Sequence, residues 1–173
     1  MTKQIEDARN EGLKILQNVN MDKERKPLKI GIIGEIYVVL EPAANHYIQI
    51  MLGEMGVETD RSIYLSAYTR NNTIVNLEED IHQVARPYLN EAPIGGHGVN
   101  SIGETVLYAR HGFDGVVQLA PFACISRDLD IPVLTLFIDE QTGKAGVQTR
   151  LEAFVDLLQK KRDTRIGAER LVV

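Results

Sequence analysis

The sequence predicts an open, mainly parallel α/β sheet with helices on both faces, and three observations predict it. Short β-branched runs bounded by glycine recur between residues 28 and 138, as strands buried on both faces require. Amphipathic helical stretches alternate with those runs, which is the order of a parallel sheet with crossover helices. A chain of 173 residues, 44% hydrophobic and 25% charged, suits one globular domain with a substantial core.

The elements follow in order. Ile5, Ala8, Gly12, Ile15, Leu16 and Val19 fall at helical spacing among charges, predicting an amphipathic helix over residues 2–19. Polar residues 20–27 read as a linker, so residues 1–27 form an N-terminal helix and linker before a single domain over 28–162, with 163–173 as a C-terminal tail. The run 28–34, closed by Gly34, is the first buried strand. Pro42 opens a helix in which Ala44, Tyr47, Ile48, Met51, Leu52 and Met55 share one face, and Gly56 closes it.

Ile63 and Leu65 alternate with polar neighbours and predict a second strand over 61–67. A helix over 77–89 presents Ile81, Val84, Ala85 and Tyr88. A glycine-rich loop at 93–98 then enters a helix carrying Ile102, Val106 and Ala109, which Gly112 ends. Strands follow at 115–120 and 131–138. The closing helix, 146–161, buries Leu151, Phe154, Val155 and Leu158 and ends on Lys160, Lys161 and Arg162, where cations suit the helix dipole. The expectation is a three-layer sandwich of the Rossmann-like or flavodoxin-like kind, without internal repeats.

One connection is short. Residues 121–130 separate the last two strands, whereas a parallel crossover with its helix takes at least about 10 to 12 residues. Either the two strands pair differently, or a segment after Cys124 is absent from the sequence as read.

Charge and cysteine content exclude several classes. Lys+Arg 19 against Asp+Glu 24 gives a net charge of −5 with no basic stripe, so nucleic acid is not an expected partner. No apolar stretch approaches the roughly 18 residues that span a bilayer, and the charged N-terminus lacks a signal-peptide core. A cytoplasmic protein without a membrane partner is expected. The single cysteine excludes an internal disulfide and a metal cage built from this chain's thiols alone.

Candidate site residues gather where strands end. Cys124 follows the 115–120 strand, on the rim where open α/β sheets collect ligands, and is either a ligand or nucleophile or a small buried hydrophobe. Glu35 and Tyr37, just past the first strand, could contact substrate through a carboxylate and a phenol; otherwise they belong to a locally packed loop. Gly96 and His97 could wrap an anion, although the glycine spacing matches neither a dinucleotide fingerprint nor a P-loop and a plain tight turn explains it as well. Asp139 and Glu140 end the last strand and either face substrate or cap the next turn. Arg150, placed at the start of the closing helix, calls for an anionic partner: Glu152, Asp139, Glu140 or a ligand. His46, His82 and His111 show no metal-ligand spacing, and no hydrolase triad is present.

Together, Pro121-Phe122-Ala123-Cys124, Asp130-Ile131-Pro132-Val133-Leu134, Asp139-Glu140 and Thr149-Arg150-Leu151-Glu152-Ala153-Phe154 resemble the C-terminal part of the 2-hydroxyacyl-CoA dehydratase D-component family. The branch of activase-related proteins, the CoA-substrate-specific enzyme activases and their relatives, is the nearer likeness. Lys29 to Val38 and the Gly95-Gly96-His97-Gly98 loop are similar to it as well, so the resemblance covers nearly all of residues 28–161.

The resemblance implies that Cys124 is a ligand of a [4Fe–4S] cluster, which an ATP-dependent activator protein supplies with an electron for the radical dehydration of a 2-hydroxyacyl-CoA. One cysteine implies a shared cluster, completed by other domains or subunits and absent from the isolated chain. That makes the chain one component of an anaerobic electron-transfer lyase system, inactive alone. The alternative is a non-catalytic α/β binding or interaction domain of the same family without a cluster. Where the family carries Met-Pro-Glu and a helix after the cysteine, this chain has Ile125-Ser126-Arg127.

Overall fold

The computed structural model describes residues 2–22, 24–65, 78–89, 98–120, 131–139 and 142–170. Four strands, β1 (Lys29–Gly34), β2 (Glu58–Arg61), β3 (Gly115–Ala120) and β4 (Val133–Phe137), form one sheet in the order β2-β1-β3-β4. All three pairings are parallel. The helices are α1 (Thr2–Gln17), α2 (Ile36–Leu40), α3 (Ile48–Glu54), α4 (Glu78–Ala85) with a 3₁₀ turn at Arg86–Tyr88, α5 (Gly98–Arg110) and α6 (Lys144–Arg170). The fold is the expected open, parallel α/β arrangement.

Strand periodicity divides the core into two layers. Ile30 and Ile32 of β1, Val117 and Leu119 of β3 and Leu136 of β4 point to one face, where Val39, Ile48 and Leu52 of α2 and α3 and Leu151 and Leu158 of α6 cover them. Ile33 and Val116 point to the other face and meet Tyr108 of α5 and Ile131. Tyr108 packs flat against the backbone of Gly31, where a β-carbon would collide with its ring. Helices therefore occupy both faces of the sheet.

Several expected boundaries move, each for a local reason. The helix expected from Pro42 begins only at Ile48, because Asn45 intervenes. The buried Asn45 side chain donates to the Val38 carbonyl (2.8 Å) and accepts from the Ile48 N–H (3.4 Å), so it closes α2 and opens α3. His46 and Tyr47 adopt left-handed φ of 56° and 60° between them. The second strand is Glu58–Arg61 rather than 61–67: Gly56, with φ 77°, turns the chain so that Glu58 pairs with Lys29. Ile63 is buried beyond the strand, and Leu65 is exposed.

β3 and β4 do pair, in parallel and in register from Val116–Val133 to Ala120–Phe137. The sequence runs unbroken from Ala120 to Val133, so the expectation of an absent segment or a different pairing is overturned. Twelve residues join the strands, the lower bound for a parallel crossover. Ten of them, 121–130, lie outside the described residues.

The closing helix is longer than expected, 27 residues from Lys144 to Arg170. Lys160, Lys161 and Arg162 are thus mid-helix and do not terminate it. Arg162 instead reaches Asp114 at the start of β3 (2.6 Å) and donates to the carbonyls of Lys26 (2.9 Å) and Pro27 (2.9 Å). Both side chains of the pair are largely buried, 19% and 11% exposed. Breaking such a pair strands a buried charge, which costs about 3 kcal/mol. Arg162→Leu should lower unfolding stability in urea by about that amount, whereas Glu58→Gln, which breaks the half-exposed Lys29–Glu58 contact, should cost less than about 1 kcal/mol.

Candidate functional site

Strand order locates the crevice. The chain goes from β1 outward to β2 through α2 and α3 on one face, then back past β1 to β3 through α4 and α5 on the other. Successive crossovers diverge between β1 and β3, so the carboxyl ends of these strands form the switch point where open α/β sheets bind ligands. Gly34 permits the tight exit there. Its φ is 137°, and a β-carbon would run into the Leu119 carbonyl, which accepts the Glu35 N–H at 3.1 Å. Gly34→Ala should therefore destabilise the fold by about 2 kcal/mol or more, read as a lowered midpoint of thermal unfolding.

Four of the expected site residues can be placed. Glu35 is the N-cap of α2, its carboxylate accepting the Val38 N–H at 3.1 Å. Tyr37 projects from the same short helix, 65% exposed. Asp139 follows β4 and closes a turn: the Thr142 hydroxyl donates to its carboxylate (2.6 Å) and accepts its N–H (3.0 Å). Arg150 lies in the second turn of α6, exposed, because the helix starts at Lys144 rather than 146. It forms no salt bridge among the described residues, and Glu152 is engaged by Gln148 (2.9 Å). The unfavourable first-turn position expected for Arg150 is corrected accordingly. Cys124, Gly96, His97 and Glu140 lie outside the described residues.

A polar cluster stands at the carboxyl end of β2, and sequence reasoning passed over it. Tyr108 of α5 donates to the Asp60 carboxylate at 3.1 Å, Tyr64 reaches the other carboxylate oxygen at 3.3 Å, and the Arg61 guanidinium lies 4.9 Å over the Tyr64 ring. Glu104, one turn before Tyr108, faces the same place. Burial pushes its carboxyl up from 4.5 to about 7, against a smaller lowering by the nearby Ser62 hydroxyl. Burial, then the charge and hydrogen bond of Asp60, push the Tyr108 phenol up as well.

One donor in the cluster is unspent. The Arg61 Nε–H is buried and has no hydrogen-bond partner among the described residues, whereas the Ser62 hydroxyl stands beside the Glu104 carboxylate and favours its charged form. Buried polar groups are normally paired, so this N–H is available to an anionic or carbonyl group that enters there. Glu104, poised near neutrality, can take up or release a proton beside it. The signal in the sequence was a second stripe on α5: Ser101, Glu104, Thr105 and Tyr108 at i, i+3, i+4 and i+7, polar residues on a helix that a sheet must cover.

No family model, no curated protein and no solved structure matches this chain. Among the described residues no helix is long and apolar enough to cross a membrane.

Glu104 makes stability depend on pH. Its folded value of about 7 lies above the ordinary 4.5, so between these values the folded state holds a proton that the unfolded state has lost, and stability falls as pH rises. The loss, complete above about pH 7, is on the order of 3 kcal/mol. Glu104→Gln should remove that slope and be the more stable protein at pH 8, checked by urea titrations at pH 4.5, 6 and 8.

Proposed function

We propose that this chain is one domain of a 2-hydroxyacyl-CoA dehydratase-type system, in which Cys124 supplies a single thiolate to an iron–sulfur cluster shared with another domain or subunit in the cytoplasm. The observation that carries the reading is the strand order. β3 is internal, flanked by β1 and β4, and its carboxyl end is one side of the switch point. Cys124 follows Ala120 by four residues, within about 14 Å of that end even at full extension. The motifs around Cys124, Ile131 and Arg150 support the same assignment.

The chain alone does not fit a cluster. Cuboidal clusters take several thiolates, this sequence has one cysteine, and among the described residues no group of three His, Cys, Asp or Glu is arranged to hold a metal ion. The remaining ligands belong to the partner, as does the ATP-dependent activator's chemistry. Among the described residues Glu104, beside β2, is the carboxyl group that burial suits to hold or move a proton near a substrate.

The same cysteine count favours one second reading, an α/β interaction domain that carries no cluster. Iron and sulfide reconstitution of the full chain under anaerobic conditions separates the two, carried out with and without dehydratase-type partner subunits. The first reading expects iron and visible charge-transfer absorbance only with a partner present, both lost in Cys124→Ser. Iron uptake that ignores Cys124, or none with any partner, sinks it.

A further inference from the structure

At the opposite, amino end of the sheet lies a groove of about 640 Å³, within the range of small-molecule sites. It exists because α6 overshoots. Twenty-seven helical residues extend roughly 40 Å, while the six of β3 span roughly 20 Å, so the last turns of α6 run past the strands they cover. The gap between this overhang, the end of α5 and the entry to β4 is the groove.

Its lining combines two chemistries. Phe113, Ile131 and Leu158 supply an apolar floor, and Lys161 and Arg165 stand at the rim from successive turns of α6. Charge is not balanced there. Among the described residues the one lining carboxylate, Asp114, is already engaged by Arg162 and by the Lys29 N–H (2.8 Å). Lys161 and Arg165 are exposed and have no salt-bridge partner among the described residues. Three of the four carbonyls that end α5, those of Leu107, Tyr108 and Ala109, already accept the N–H groups of His111, Phe113 and Gly112, which leaves fewer local acceptors to compete for a cation. Two uncompensated cations over an apolar floor, on a chain of net charge −5, make a local inversion of the protein's charge.

We propose that this groove binds a small anionic amphiphile, with a carboxylate or phosphate head between Lys161 and Arg165 and a short acyl or aryl body against Phe113, Ile131 and Leu158. The site is separate from the rim that carries the proposed function and does not depend on it. An apolar body gains from leaving water, and the paired cations select an anionic head over a neutral one.

The test is an amide NMR titration of the full chain with octanoate, octyl phosphate and octan-1-ol. Saturable shifts centred on Gly112, Phe113 and Ile131 are expected for the two anions, with octanol at least about tenfold weaker. Comparing octanoate with octyl phosphate tells which head the site prefers. Reversing the rim, Lys161→Glu with Arg165→Glu, alters exposed positions only and should weaken both anions about tenfold or more, leave octanol unchanged, and leave the thermal midpoint in place. Cys124→Ser should not alter the titration. Shifts centred elsewhere, absence of saturation, or anion binding indifferent to the charge reversal would overturn the proposal.

Discussion

Asp114 is the point on which the rest of the fold is fastened. Its carboxylate receives the Lys29 N–H and the Arg162 guanidinium, while its own N–H donates to the Lys29 carbonyl at 2.8 Å. Three segments far apart in sequence, the start of β1, the start of β3 and the middle of α6, meet in that exchange. The guanidinium also takes the carbonyls of Lys26 and Pro27, so the linker is tied down where it enters the sheet. A planar donor with five N–H groups can serve a carboxylate and two carbonyls together; a lysine could not reproduce that geometry.

That fastening fixes the register on which the switch point depends. With β1 and β3 aligned from Ile30–Gly115 to Gly34–Leu119, the chain leaves β1 directly over the end of β3. The left-handed φ at Gly34 and the Glu35 hydrogen bond to Leu119 are consequences of this alignment, and a one-residue slip of β3 against β1 would turn Val117 and Leu119 away from the face that α3 and α6 cover. Apolar packing on both faces and the geometry of the rim are therefore one constraint. The crevice is rigid on its β1 side because the core behind it is.

How far the sequence revealed this differs by element. β3, fully buried along its length, and α5, with Gly112 ending it, could be read from local pattern alone, since their burial imposes a pattern that few other structures share. β2 could not. Glu-Thr-Asp-Arg is polar because it is a half-exposed edge strand, and its place is set by pairing with β1 rather than by its own residues. The late start of α3 was hidden because apolar periodicity continues through Tyr47, while the buried Asn45 decides the boundary through hydrogen bonds to α2. The overrun of α6 was hidden for a related reason: Arg162 reads as a terminal cation until its distant partner Asp114 is known. In the candidate site, the rim positions of Glu35 and Asp139 followed from strand ends. The Glu104, Ser62 and Arg61 cluster required the packing of α5 on β2, a contact between segments about 40 residues apart that no local spacing encodes.

The two ends of the sheet are built on opposite physical terms. At the carboxyl end, burial works against charge: it holds Glu104 near neutrality and leaves the Arg61 Nε–H without an acceptor among the described residues, so the cluster is costly to stability and suited to proton exchange. At the amino end, the same kinds of side chain are either fully paired, as Arg162 is with Asp114, or left in water, as Lys161 and Arg165 are. Unpaired buried groups persist in a fold only where the surrounding packing is strong enough to tolerate them, and here the toleration comes from the Asp114 node and the α6 core at the far end. The stability that the amino end contributes is what allows the carboxyl end to keep its polar groups unsatisfied.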